Sequence, residues 1–221
     1  LSKPALEAVF FVEEKEKTMT YRAVGNRIAV DPQTLKLSLS SEVILAKFLS
    51  LGFTLIELNP IELAKSQIGV AKYKRGAKPS EAPEVVDCTS FTKWIFGQCG
   101  IWLPRYSIQQ RECGTRVNLN EIVAGDIVFR IGRCNYFEND PTDAVGHAGL
   151  ATGQGTVIHA AGTRKGLIES TLIDFLEKEE SRFRGAMRMI PKDSEVWFLE
   201  IPPDFWVETS DDLRWLLLQR M

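Results

Sequence analysis

The sequence predicts an α+β fold, on three observations. A helix with an apolar stripe begins at Cys88, where Phe91, Trp94, Ile95 and Cys99 recur at helical spacing up to Gly100. Two short apolar runs, 146–152 and 156–161, flank a Gly153-Gln154-Gly155 loop and read as a β-hairpin. The rest of the stretch from 61 to 190 carries short strand-like runs separated by glycine turns, without internal repeats or low-complexity segments.

In chain order, Ala5 to Glu14 alternates weakly and Met19 to Val30 more clearly, so both read as strands. Asp31-Pro32 makes a turn before Leu35, Leu37 and Leu39, which are expected on one face of a strand. Ser40-Ser41-Glu42 opens a helix that Gly52 ends. Pro60 opens the next, which runs to about Gly69, because a first-turn proline loses no hydrogen bond. A boundary just before that helix divides the chain. Residues 1–60 form a strand-rich N-terminal α/β accessory region, 61–192 the core, and 193–221 a short C-terminal extension. The extension carries a strand-like Val196 to Ile201, a Pro202-Pro203 break and an amphipathic helix from Asp211 to Gln219. Both ends are expected to complete a sheet or pad the core, or to help shape a binding cleft.

Composition narrows the function. At 221 residues the chain can bury roughly 70% of its unfolded surface. Its 27 basic and 29 acidic residues, with no concentrated basic face, exclude a sequence-independent nucleic-acid binder. The longest apolar runs, such as Val9 to Val12 and Trp215 to Leu218, are far short of the roughly 18 residues a membrane span needs. Cys99, Cys113 and Cys134 form no C-x-x-C pair, their spacings match no common zinc site, and neither metal nor cofactor is implied. If Cys88 stays reduced, the other three can form at most one disulfide. Nothing in the sequence sets an oligomeric state.

Cys88 occupies the first turn of its helix, where unpaired N–H groups and the positive end of the dipole favour a thiolate. The expectation is a lowered thiol pKa, with the same N–H groups able to donate to an oxyanion. The alternative is a small inert hydrophobe. His147 and His159, the only two histidines, both fall on the hairpin. If Thr152 faces Thr156, His147 faces Ala161 and His159 faces Gly149, so the imidazoles are diagonal neighbours on one face. A slip of one residue would put them on opposite faces. Gly149, Ala151 and Ala161 leave room on the shared face, where the Cys88 helix would fit. Together these residues supply a nucleophile, a base and a group to orient the base.

Six segments in order resemble the NlpC-type family of papain-like cysteine peptidases that cut bacterial cell-wall peptides. They are Tyr73-Lys74-Arg75-Gly76-Ala77, Asp87-Cys88-Thr89-Ser90-Phe91, the run from Gly100 to Ser107, the run from Ala124 to Phe129, Gly146-His147-Ala148-Gly149-Leu150, and Val157-Ile158-His159-Ala160. The resemblance implies a papain-like core in which the helix bearing the cysteine packs on an antiparallel sheet that supplies both histidines. It makes Cys88 the nucleophile, His147 the general base and His159 the third catalytic residue. It also makes Asp87 a candidate anchor for a substrate's free amino terminus. Tyr73, Thr89, Arg105 and Ser107 are further candidates for lining the substrate cleft, with loop bracing the other reading of Arg105 and Asp126. The chain departs from the family at Thr89-Ser90 in place of Ser-Gly, at Arg75 and Ala77, in the longer Glu81 to Val85, and in the acidic insert from Tyr136 to Asp143.

The activity implied is hydrolysis of a peptide bond in a peptidoglycan-derived stem peptide by Cys-His-His catalysis, with murein peptide as the binding partner. A papain-like acyltransferase or thioesterase, or a peptide-binding module without turnover, are the alternatives. Missing signal features and three spare cysteines lean toward the cytoplasm, whereas removal of an N-terminal signal would place the protein in the cell envelope or outside it.

Overall fold

The computed structural model describes residues 19–136, 139 and 143–220. The strand expected over Ala5 to Glu14 and part of the Tyr136 to Asp143 insert lie outside them. The elements in order are β1 (Arg27–Val30), α1 (Ser41–Ser50), β2 (Thr54–Leu55), α2 (Pro60–Ser66), β3 (Lys72–Tyr73), β4 (Val85–Val86), α3 (Cys88–Gln98), α4 (Ser107–Gln110) and β5 (Thr115–Val117). There follow β6 (Ile127–Arg130), β7 (His147–Ala151), β8 (Thr156–Gly162), β9 (Gly166–Thr171), α5 (Leu172–Phe175), β10 (Phe183–Arg188), β11 (Trp197–Glu200) and α6 (Ser210–Leu218). The architecture is α+β, as expected. Strands β5-β10-β6-β7-β8-β9 form an antiparallel six-stranded sheet, and α3 packs against its centre.

The two ends of the chain meet in a second sheet. β11 lies between β1 and β2, antiparallel to both. Phe48, Phe53, Trp197 and Leu213 from this part share one apolar core with Phe91, Ile95 and Phe96 of α3. Gly100 makes that junction possible. Its φ of +72° is left-handed, and a Cβ there would lie 2.5 Å from the Ile28 backbone nitrogen. The bare backbone lets β1 run alongside, with Ala29 N–H donating to the Gly100 carbonyl at 3.0 Å. The strand expected through Leu35, Leu37 and Leu39 is instead a single 3₁₀ turn, Pro32–Leu35. Proline at its first position fixes a helical φ, and the Asp31 carboxylate caps Gln33 N–H at 2.9 Å. Likewise only Arg27–Val30 of the run from Met19 is a named strand, after a turn at Gly25-Asn26.

The hairpin has the register expected from Thr152 facing Thr156: Leu150 pairs with Ile158 and Ala151 with Val157. Alternation then assigns the faces. Ala148, Leu150, Ile158 and Ala160 belong to the apolar layer that includes Phe91 and Ile95 of α3. Ala151 and Val157 belong to a smaller cluster with Phe175 and Leu176. The histidines share this second face, so the element covering it is α5 and not α3 as expected. Gly149 keeps its space because a Cβ there would come within 2.5 Å of Val157 Cγ1 and 3.0 Å of His159 Cβ.

Candidate active site

The start of α3 is closed by a reciprocal cap. Asp87 Oδ1 accepts from the backbone N–H of Thr89 at 3.2 Å and of Ser90 at 2.8 Å, while Ser90 Oγ accepts from Asp87 N–H at 2.8 Å. This cap fixes Cys88 as the first helical residue, half-buried. Arg105 then ties the carboxylate to the next loop. Nη2 donates to Asp87 Oδ2 at 2.5 Å and to the Ala77 carbonyl at 2.8 Å, and Nη1 donates to Thr89 Oγ1 at 2.6 Å. Buried Gln110 joins α4 to α3 by donating to the carbonyls of Thr89 and Pro104 and accepting from Thr92 Oγ1. Sequence reasoning missed Gln110, whose contacts depend on how the 101–107 loop returns.

Of the candidate cleft residues, the structure gathers Asp87, Thr89 and Arg105 into one hydrogen-bonded group. Tyr73, on β3 beside β4, feels both Cys88 and Asp87; burial, then these two neighbours, raise its pKa. Ser107 opens α4 and is buried. Asp126 acts as a brace: fully buried, it is paired with Arg188 at 2.8 Å and accepts from Val123 N–H at 2.9 Å.

The two imidazoles stand on β7 and β8, against the Phe175 ring of α5. His147 Nε2 and His159 Nδ1 are 2.9 Å apart, and the rings meet edge to face at 5.1 Å. His159 Nε2 lies 3.1 Å from Ser170 Oγ on β9. Hydrogen-bond logic orders the protons. If His159 Nε2–H donates to Ser170, Nδ1 is an acceptor, so His147 carries its proton on Nε2 and presents a bare Nδ1. The backbone N–H of Ala148, the residue after His147, stabilises a Cys88 thiolate, as does that of Thr89, which puts the sulfur at the His147 end of β7.

Electrostatics overturn one expectation. The Cys88 thiol is pushed up to about 11, chiefly by burial and then by the Asp87 carboxylate, which together outweigh the helix-start N–H groups and Arg105. Burial, Arg130 and His159 hold His147 well below its ordinary value. His159 is lowered to about 4 by burial, Arg130 and Lys165. The resting site is therefore a thiol beside two neutral imidazoles. Cys88, Cys99, Cys113 and Cys134 are all free thiols. Among the described residues no group of three or more His, Cys, Asp or Glu side chains is placed to hold a metal, and no helix is long and apolar enough to cross a membrane.

A thiol at the tip of a helix, set against an antiparallel sheet that supplies two coupled imidazoles, places the chain in the papain-like α+β class. More narrowly, the chain belongs to the NlpC/P60 family, whose model matches residues 70–181. It is 30% identical over 138 residues to the gamma-DL-glutamyl hydrolase of Bacillus subtilis, covering 62% of this chain and 31% of that one. With the gamma-D-glutamyl-L-lysine dipeptidyl-peptidase of the same organism it shares 30% identity over 94 residues, 42% of this chain and 30% of the other. An NlpC/P60 family crystal structure from Bacillus cereus is similar at 23% identity and a TM-score of 0.49, over 60% of this chain and 39% of that one. The chain spans less than half the length of these relatives.

Proposed function

We propose that the protein is a cysteine peptidase or amidase that hydrolyses peptide bonds in peptidoglycan-derived stem peptides, with Cys88 as nucleophile, His147 as general base and His159 as the residue orienting it. The 2.9 Å contact between His147 Nε2 and His159 Nδ1 carries this reading, because it couples the two imidazoles next to Ala148, whose backbone N–H also favours a Cys88 thiolate. Family membership and hydrolase relatives support the same chemistry.

As the thiol attacks the scissile carbonyl, its proton passes to His147 Nδ1, and the S–C bond forms without a thiolate standing in the resting site. Asp87 already takes the N–H groups of Thr89 and Ser90, so the Cys88 N–H is the first-turn donor left for the oxyanion. The imidazolium protonates the leaving amine as the C–N bond breaks. Water, deprotonated by the same nitrogen, then releases the acyl group from sulfur.

In this reading Asp87 is first a helix cap and a partner of Arg105. Its Oδ2, bonded by Arg105, retains capacity for a substrate ammonium. Tyr73, Thr89, Arg105 and Ser107 would frame the peptide around it. The decisive experiment incubates the protein and its Cys88→Ala variant with defined stem peptides and locates cut sites by mass spectrometry. Cleavage at one linkage by the native protein, reduced by roughly 10⁵-fold or more in a folded Cys88→Ala variant, is expected. Undiminished cleavage by the variant would overturn the mechanism, and no cleavage of any stem peptide would overturn the substrate class.

A further inference from the structure

Behind the imidazoles, on the face away from α3, sits a buried arginine that the mechanism above does not use. Arg130 ends β6 and pairs across the ladder with His147, so their side chains share a face. It is only 8% exposed. Its Cζ lies 5.3 Å from the centroid of Phe175, whose ring stacks on His147 (5.5 Å, 27°) and meets His159 edge-on (5.0 Å, 83°). One aromatic ring thus touches the guanidinium and both histidines.

The guanidinium is anchored from the far side. Arg130 Nη1 pairs with Glu177 Oε1 at 2.9 Å and donates to the Ile131 carbonyl at 2.5 Å. Glu177 Oε2 pairs with Arg182 at 2.9 Å. Glu177 and the next residue, Lys178, both take left-handed backbone, with φ of 56° and 64°, which is uncommon for residues with side chains. This turn brings the carboxylate back over Arg130. Yet Glu177 is half-exposed and shared between two arginines. A partly screened carboxylate divided in this way neutralises Arg130 only in part.

We propose that Arg130 is a positioning residue for the two histidines: anchored by Glu177 and laid on Phe175, it seats that ring against both imidazoles and sets a fixed positive charge behind them. The role in turnover rests on the hydrolase reading above, whereas the effect on the rings does not. The charge opposes an imidazolium, so His147 remains a free base until the thiol proton arrives. The other charged or titratable groups are Lys165 from the β8–β9 turn, which acts on His159, and, around Arg130, Cys88 from α3 with Glu177 and Arg182 from the segments after α5. Ser170 and Phe175 bring no charge. After burial, Arg130 is the largest influence that lowers both histidines.

With only two histidines in the chain, NMR can follow both ring titrations without overlap. Arg130→Met keeps the length and removes the charge; both titration midpoints should rise by roughly one pH unit or more. Arg130→Lys keeps the charge and should hold them within roughly a few tenths of the native values. Unmoved midpoints in Arg130→Met, or equal movement in the two variants, would overturn the proposal. If Arg130→Met does not fold, the half-exposed Glu177→Gln carries the test. Loss of the compensating carboxylate should lower the midpoints, and a rise or no change would overturn it. The acidic limb of kcat/KM for stem-peptide cleavage should follow the ring titrations. If the rings move as expected while no variant or native protein cleaves any peptide, the hydrolase reading fails and the role of Arg130 on the rings stands.

Discussion

The Cys88 side and the histidine side of the site are built to opposite electrostatic signs. Beside Cys88 sits Asp87, a carboxylate that raises the thiol; beside His147 and His159 sits Arg130, a cation that lowers both imidazoles. Each charge opposes the ionised form of its neighbour, so both sides favour the uncharged pair over thiolate and imidazolium. They differ in how firmly the charge is held. Asp87 is fixed by two helix N–H groups and the Arg105 fork, whereas Arg130 has one shared, half-exposed carboxylate. The comparison teaches that neither side favours charge at rest and that the two are linked, since Cys88 also acts on Arg130 and the N–H of Ala148, beside His147, acts on Cys88.

The histidine side offers the largest effect. His159 is buried and neutral, with its midpoint lowered from 6.5 to about 4. Between those values the unfolded chain binds more protons than the folded one, so stability is fully present above the unfolded pKa and is lost as pH falls toward 4. The interval corresponds to roughly 3 kcal/mol, with His147 adding in the same direction. Urea midpoints measured from about pH 7 down to about pH 4 should fall for the native protein and fall less for His159→Asn. Equal slopes for the two would show that His159 is not held neutral by its surroundings.

The Cys88 side should yield a shift of roughly one pH unit. Asp87→Asn keeps an N-cap side chain while removing the charge next to Cys88, and it frees the Arg105 guanidinium to favour a thiolate. Alkylation by iodoacetamide, read by peptide mass spectrometry across pH, should move its Cys88 midpoint downward in this variant. In the native protein near neutral pH, exposed Cys134 should label before Cys88. Native Cys88 labelling first would restore the low-pKa thiolate expected from helix position alone.

That reversal shows what sequence can carry. The α3 helix and the hairpin register were legible because each depends on residues close in the chain: the apolar stripe through Phe91, Trp94, Ile95 and Cys99, and Thr152 and Thr156 around a glycine loop. The pKa direction was not legible. Asp87, the residue that starts the helix, also repels the thiolate, and burial of Cys88 is a property of the assembled fold. Nor was the cover of the histidine face. Phe175 lies on a helix of four residues, too short for periodicity, and Arg130 reaches His147 only through pairing of β6 with β7. Ser170 depends on a register that shifts between Ala160 and Gly162, which no alternation pattern reports.

Ser170 gives the smallest and most selective way to separate the two sides. If its Oγ, 3.1 Å from His159 Nε2, accepts the His159 proton, it keeps that proton off Nδ1, and thereby keeps the His147 proton on Nε2 and Nδ1 bare. Ser170→Ala removes one net hydrogen bond of about 1 kcal/mol without touching the charge on either side. The expected loss in kcat/KM for stem-peptide cleavage is roughly five-fold, accompanied by a change in the ¹⁵N shifts that report the His159 tautomer. Cys88 alkylation should be unchanged, since the groups that act on the thiol are Asp87, the N–H groups of Ala148 and Thr89, and Arg105, none of which touches Ser170. A fall in kcat/KM with an unaltered tautomer would place the effect elsewhere than in the proton order of the histidine pair.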